Sequence, residues 1–273
     1  MAASDPANLD AIIAAVRQGR NYSHIMPALI QRVALEEAGK FRKPSQVIKS
    51  TRSRLHQLGG AFQGKCINYA QWEARLENLP ADIQHPAVML FCQEMMRFHG
   101  STRERLSILP GFYRTTLATV GPLHSVLDLG CGLNPLALPW MDLDDHFTYT
   151  ACDIYEDMVG FLNTFFKHFS ANASAFTCDI TQVKDFQTVQ LALLLKTLPC
   201  LEQLNKHIGR QVLENIHAEH ILVSFPVKSL SGNEKGMREN YQRYFYSLLQ
   251  PSDWTIRTFE FSTELAFLLS RNQ

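Results

Sequence analysis

Asp128, Gly130 and Gly132 stand at alternate positions in SVLDLGCGLNPLALPW, and two further carboxylates, Asp153 and Asp179, close the later runs FTYTACD and FTCD. Glycines at that spacing after an apolar run permit a tight turn and let a ligand lie against bare backbone. Asp153 follows the glycines by about 20 residues, the place where a strand-end acid accepts both hydroxyls of a ribose. Asp179, at the end of the next run, is placed to take the exocyclic amino group of adenine. The chemistry is that of nucleoside binding. A dinucleotide site needs G-x-G-x-x-G, but the third position is Pro135, and no Lys-Ser/Thr pair follows to cradle phosphates. The turn is present and the pyrophosphate apparatus is incomplete.

The pattern D-x-G-x-G resembles motif I of S-adenosylmethionine (SAM) methyltransferases, although it also serves an ordinary strand, turn and helix. SAM carries an amino-acid tail in place of phosphates, so the glycines need only admit its methionyl part. After the fourth apolar run the chain reads LLLKTLPCL. The [DN]-P-P-[aromatic] motif of amino-group methylation is missing there. Pro199-Cys200 matches the pair with which cytosine-C5 enzymes attack C6, but Leu198 and Leu201 flank the thiol with apolar surface and only Lys196 offers a positive charge. A buried thiol is expected at Cys200. Guanine N7 is a target that needs neither nucleophile nor base, since its lone pair is free at neutral pH. Catalysis then rests on positioning and on excluding water.

The elements that must position these residues follow from hydrophobic spacing. Residues 8–18, 27–38, 44–58, 69–77 and 86–98 repeat apolar side chains at three and four positions, which predicts helices, and Pro27, Pro44 and Pro86 sit at helix starts. Beyond Gly121-Pro122, β-rich runs at 125–129, 147–152, 175–178, 189–195 and 220–225 alternate with helical stretches, the mark of βαβ units. Residues 254–261 and 264–270 read as two strands whose short connection forces an antiparallel pair. The expected fold is α/β, a Rossmann-like class I SAM-methyltransferase sheet, mostly parallel with a C-terminal antiparallel hairpin, preceded by an all-helical region.

Formal net charge is zero, yet no acid occurs between Glu37 and Glu73, where Lys40, Arg42, Lys43, Lys49, Arg52, Arg54 and Lys65 fall. That asymmetry fits a phosphate-backbone footprint or, equally, a solvated basic helix face. Arg97, Arg103, Arg105 and Arg114 form a second basic group. The 6 cysteines show no C-x-x-C pair, so buried thiols are expected in place of disulfides or a metal site. With no apolar run of about 18 residues and no signal pattern, the expectation is a cytoplasmic protein with no membrane contact.

RSRLHQLGGAF, HGSTRERL, LDLGCGLNPLALPW, LLLKTLPCLE, VSFPVKSLSGNEKGMRENY and TELAFLL together resemble the aminoglycoside-resistance 16S rRNA (guanine-N7) methyltransferases of actinomycete producers and resistant pathogens, over the chain from about residue 20 onward. The resemblance implies SAM-dependent methylation of a decoding-site guanine, as in guanine-1405 enzymes, within the assembled 30S subunit. It implies a helical rRNA-docking domain over 1–115 and a methyltransferase domain over 116–273. It also places Phe62 and His99-Gly100-Ser101 beside SAM, Arg105 on the cofactor's carboxylate, Gly130 in backbone contact, Asp153 on the ribose, Asp179 and Ile180 at adenine, and Leu195 on the floor. No side chain is expected to act as acid, base or nucleophile.

Arg42, Lys43, Lys49, Arg52 and Arg54 are expected on rRNA phosphates, sharing no side chain with the cofactor site. The polar segment after the fifth strand reads as a mobile loop over the site. From it Lys228, Lys235, Arg238 and Asn240 would meet RNA, and Met237 at the loop tip would wedge against an extruded base. Three other readings compete: a cytosine-C5 RNA methyltransferase using Cys200, a non-catalytic RNA-binding module with a SAM-like pocket, and a small-molecule methyltransferase, against which the basic helices argue.

Overall fold

Pro27, Pro44 and Pro86 each open a helix at the position expected, where a missing N–H costs nothing. α1 (Pro6–Arg17), α2 (Pro27–Ala38), α3 (Pro44–Leu55), α4 (Tyr69–Leu76) and α5 (Pro86–Met96) form the helical region. α2 buries Leu29, Ile30 and Val33, and α3 buries Val47, Thr51 and Leu55, the spacing that the apolar repeat predicts. α3 gives way to a π-helical turn at His56–Gly60, so the helix expected to reach 58 ends earlier. Two short helices, α6 (Gly100–Arg105) and α7 (Leu109–Thr116), complete the region. The computed structural model describes residues 6–60, 67–203, 205, 207–227, 236–249 and 254–272.

The rest is a sheet with helices: β1 (Leu123–Leu129), β2 (Leu143–Asp153), α8 (Glu156–His168), β3 (Ala173–Thr177), β4 (Val189–Leu195), α9 (Leu198–Glu202), α10 (Ile208–Glu214), β5 (Ala218–Pro226), α11 (Met237–Leu248), β6 (Trp254–Glu260) and β7 (Glu264–Arg271). The strand order is β3-β2-β1-β4-β5-β7-β6. β1 to β5 pair in parallel, while β7 runs antiparallel to both β5 and β6. The chain builds outward from β1 to β3 and then returns to β4. Their carboxyl ends diverge at that switch, leaving a crevice where open α/β sheets bind ligands.

β4 is buried at every position, as a central strand covered on both faces must be. Its side chains alternate between two apolar clusters. Leu191 and Leu193 join the cluster that holds Val33, Leu55 and Phe91 of the helical region. Ala192 and Leu194 join the one holding Val212 and Phe245 of α10 and α11. The helices of the first hundred residues therefore cover one face of the sheet.

Candidate functional site

A cavity of about 690 Å³, partly open to solvent, lies over the carboxyl ends of β1, β2 and β4. Its floor starts at the turn after β1. Gly130 (φ +65) and Gly132 (φ +53) both adopt the left-handed conformation that favours glycine. A Cβ on Gly130 would stand 2.9 Å from Thr197 Cγ2, and one on Gly132 would stand 2.5 Å from His99 Cε1. Both positions demand glycine for space as well as for conformation.

Asp153 ends β2 and borders the cavity. Its Oδ2 accepts the Gly132 N–H at 2.8 Å and its Oδ1 accepts the Ile154 N–H at 2.7 Å. Burial pushes its pKa up, against the pull of these backbone donors. The loop after β3 brings Asp179 and Ile180 to the same wall. Asp179 Oδ1 accepts the Thr181 N–H at 3.1 Å and its hydroxyl at 2.6 Å, while Oδ2 accepts Arg32 Nε at 2.8 Å. Arg32 comes from α2 and carries no motif. No local pattern marks it.

Leu195, Lys196, Thr197 and Cys200 close one side, with His99 and Ser101 facing them. His99 is buried, and burial followed by the charges of Lys196, Arg105 and Arg103 lowers its pKa to about 4. It is a neutral imidazole at pH 7. Gly100, expected beside the ligand, is buried at the start of α6 behind His99 and Ser101. Cys200 is 8% exposed, its Sγ sits 3.5 Å from the Lys196 carbonyl, and burial pushes its pKa up to about 12. It remains a thiol.

The expectation for Arg105 needs correction. Its guanidinium is wholly buried and lies outside the cavity wall. Nη1 donates to Asn134 Oδ1 at 2.8 Å, Nη2 donates to Glu264 Oε2 at 3.0 Å, and Nε lies 2.9 Å from Glu264 Oε1. An internal carboxylate at the start of β7 takes the place assigned to the cofactor's. Lys196 shares that carboxylate, with Nζ 3.3 Å from Glu264 Oε1, 3.0 Å from the Ser101 carbonyl and 2.7 Å from Glu104 Oε2. Its backbone is left-handed at φ +62, a strain of about 1–3 kcal/mol that surrounding contacts must hold.

The acid of D-x-G-x-G is also structural. Asp128 Oδ2 accepts Asn134 Nδ2 at 2.9 Å and the Tyr149 hydroxyl at 2.7 Å, and burial raises its pKa to about 6. Asn134 thereby links Asp128 to Arg105, with the Tyr113 hydroxyl as a further donor at 2.6 Å. Asn134, Lys196 and Glu264 had no assigned role in the sequence pattern, save Lys196 as a charge beside Cys200. A lysine directly after an all-apolar strand was the available signal.

The basic cluster splits in two. Arg42, Lys43 and Lys49 are exposed. Arg52 instead donates to the Ala15 carbonyl at 2.5 Å and lies 5.9 Å over the Tyr22 ring. Arg54 pairs with Glu36 and, at 3.0 Å, with Glu37. These two arginines hold the helices together; Arg54 contributes no side chain to the cavity wall but is linked to its Asp179 through Glu36 and Arg32. Met237 is the half-buried first residue of α11, not a loop tip. On the same helix Arg238 donates to the Phe261 carbonyl at 2.8 Å, and Asn240 Oδ1 accepts Arg243 Nη2 at 2.6 Å. Phe62, Lys228 and Lys235 lie outside the described residues. Among the described residues no helix is long and apolar enough to cross a membrane, and no group of three or more His, Cys, Asp or Glu could hold a metal.

The model of the FmrO ribosomal RNA methyltransferase family matches residues 18–268. The 16S rRNA (guanine(1405)-N(7))-methyltransferase of Micromonospora echinospora is 32% identical over 265 residues, covering 96% of this chain and 97% of that protein. The protein of the same name from Serratia marcescens is 28% identical over 266 residues, covering 97% and 99%. The crystal structure of the 16S rRNA methyltransferase RmtF in complex with S-adenosyl-L-homocysteine matches with a TM-score of 0.80 at 28% identity, over 97% of this chain and 98% of that one. A glycine turn under a ligand-sized crevice, a sheet closed by an antiparallel pair and a match along nearly the whole chain agree: the protein belongs to the FmrO family of ribosomal RNA methyltransferases.

Proposed function

We propose that the protein transfers a methyl group from SAM to N7 of a guanine in the decoding site of 16S rRNA, the position its relatives' names give as 1405, within the assembled small subunit, and so protects the ribosome from deoxystreptamine aminoglycosides. The observation that carries the chemistry is the cavity wall. Cys200 is held as a thiol and His99 as a very weak base. Such a wall suits a target whose lone pair is already free.

Several residues of the cavity lining support this reading. A carboxylate has about four lone-pair sites, so Asp153 keeps an acceptor for the ribose beside its backbone donors Gly132, Ile154 and Tyr155. Leu29, Ile154, Ile180 and Leu201 form an apolar slot for adenine, with Asp179 at its amino end and Leu195 beneath. Gly130 gives the methionyl part bare backbone. SAM supplies an electrophilic methyl on its sulfonium. The protein's residues orient it, keep water out and hold the guanine in line. Arg42, Lys43 and Lys49 meet rRNA phosphates, and Met237, Arg238 and Asn240 stand at the amino end of α11, where they meet the target strand.

Purified small subunits incubated with labelled SAM should carry the label on N7 of a single 16S guanine. Label on a cytosine C5, or none, would reject the proposal. Asp153→Ala should weaken SAM binding at least about tenfold, since hydrogen bonds to a charged acceptor contribute about 1.5–3 kcal/mol each. Calorimetry that finds unchanged affinity would remove the ribose from that carboxylate. Cys200→Ser should keep most of the methylation rate. A loss above about a thousandfold with SAM binding intact, or a trapped RNA–protein adduct, would favour thiolate attack instead.

A further inference from the structure

Arg32 reaches from α2 to Asp179, a residue of the cavity wall, from outside the cavity. Its Nε and Nη2 each lie 2.8 Å from Asp179 Oδ2. Thr181 holds Oδ1 from the other side with its N–H and hydroxyl. The carboxylate, 12% exposed, is therefore fixed in plane by charged and neutral donors together. Without Arg32 an acid in this loop has only Thr181 to choose its rotamer.

The opposite edge of the guanidinium continues the chain of charges. Arg32 Nη1 donates to Glu36 Oε1 at 2.6 Å. Glu36 also accepts Arg54 of α3, and Arg54 spans Glu36 and Glu37. Glu37, only 2% exposed, accepts Lys40 at 2.8 Å and the Ser50 hydroxyl. Alternating charges thus run Asp179, Arg32, Glu36, Arg54, Glu37, from the cavity to the helix that presents Lys49. The anchoring of α2 places the chain: the Met26 N–H donates to the Ile154 carbonyl at 2.9 Å, and Leu29 lines the cavity itself.

We propose that Arg32 is a positioning residue for the adenine end of the SAM site, acting through Asp179, and that Glu36 and Arg54 extend this support to the helix pair that faces rRNA. The inference rests on the reading of the cavity as the SAM site. Glu36 balances two arginines, so loss of Arg54 leaves it to draw Arg32 away from Asp179. Coupling of this kind is a local electrostatic exchange within one connected set of ion pairs.

SAM affinity of the full chain, read by titration calorimetry, tests this with a double-mutant cycle. Arg32→Met should weaken SAM about tenfold, but less than about twofold when Asp179→Asn is already present, because the partner charge is gone. Arg32→Lys keeps the charge without the two-pronged fork and should lose about threefold. Arg54→Met, outside the cavity wall, should also lose about threefold. Equal losses with and without Asp179→Asn would mean a general packing role and would overturn the proposal, as would tighter binding in any Arg32 variant. Should Arg32→Met not fold, Arg32→Lys goes through the same cycle, and unchanged affinity there overturns it. Asp153→Ala separates the two readings: no loss in that variant removes SAM from the cavity, whereas a loss there with Arg32→Met unaffected sinks the positioning role alone.

Discussion

Glu264→Gln should destabilise the protein by about 3–5 kcal/mol at pH 7, measured by denaturant unfolding. The side chain keeps its shape, so the cost is electrostatic. Glu264 is wholly buried and faces two buried cations, Arg105 at 2.9 Å and Lys196 at 3.3 Å. Removing its charge strands the Arg105 guanidinium in a medium that solvates it poorly and leaves the Lys196 ammonium with Glu104 as its carboxylate partner. Burial by itself would raise the pKa of Glu264, but Arg105 and Lys196 more than offset this and hold it below its ordinary value of 4.5. A carboxylate whose folded pKa is depressed contributes fully above its unfolded pKa and loses that contribution as pH falls through the folded one. The gap between wild type and Glu264→Gln should therefore be flat near neutrality and narrow only below about pH 4.5. A cost under about 1 kcal/mol, or a gap that widens on acidification, would show that these ion pairs do not anchor the back of the cavity.

The contrast between Glu264 and Gly130 explains what a reader of the chain alone can find. The turn at Gly130 and Gly132, the apolar run of β4 and the paired β6 and β7 are local patterns, legible because backbone geometry and side-chain alternation act over a few residues. Asp153 and Asp179 were legible for the same reason, each sitting at the end of its strand or just beyond it. The Arg105–Glu264 pair joins residues 159 positions apart, and no periodicity records it. α6 and α7 are too short for a helical repeat to show. The start of α11, Met237 to Tyr241, reads as loop because the polar helix buries only Phe245 and Leu248, and it is held by rings that meet β5, such as Tyr241 stacked 4.9 Å from Phe225. In the basic stretch the charges could be counted but not their partners. Arg52 and Arg54 are spent inside the protein, which leaves the outward-facing cations as the test of docking.

Arg42→Glu with Lys49→Glu should weaken small-subunit binding about 100-fold at low salt, since each reversal removes a phosphate contact and adds repulsion worth together about tenfold. Both side chains are exposed, so the fold should tolerate the change. Phosphate contacts act by releasing counterions, with a slope of about 0.7–0.9 per contact in a plot of log affinity against log salt. Losing two contacts should flatten that slope by about 1.4–1.8. SAM affinity should stay within about twofold, because neither residue belongs to the ion-pair chain that ends at Asp179. Arg54 is the wrong residue for this experiment. Its reversal would set three carboxylates together with Glu36 and Glu37, free Glu36 to compete for Arg32, and mix loss of docking with damage to the cavity. Competition binding at two salt concentrations reads both quantities at once. A double variant that binds with wild-type affinity and slope would place the rRNA elsewhere and leave Arg42 and Lys49 as solvated charges on the outer surface.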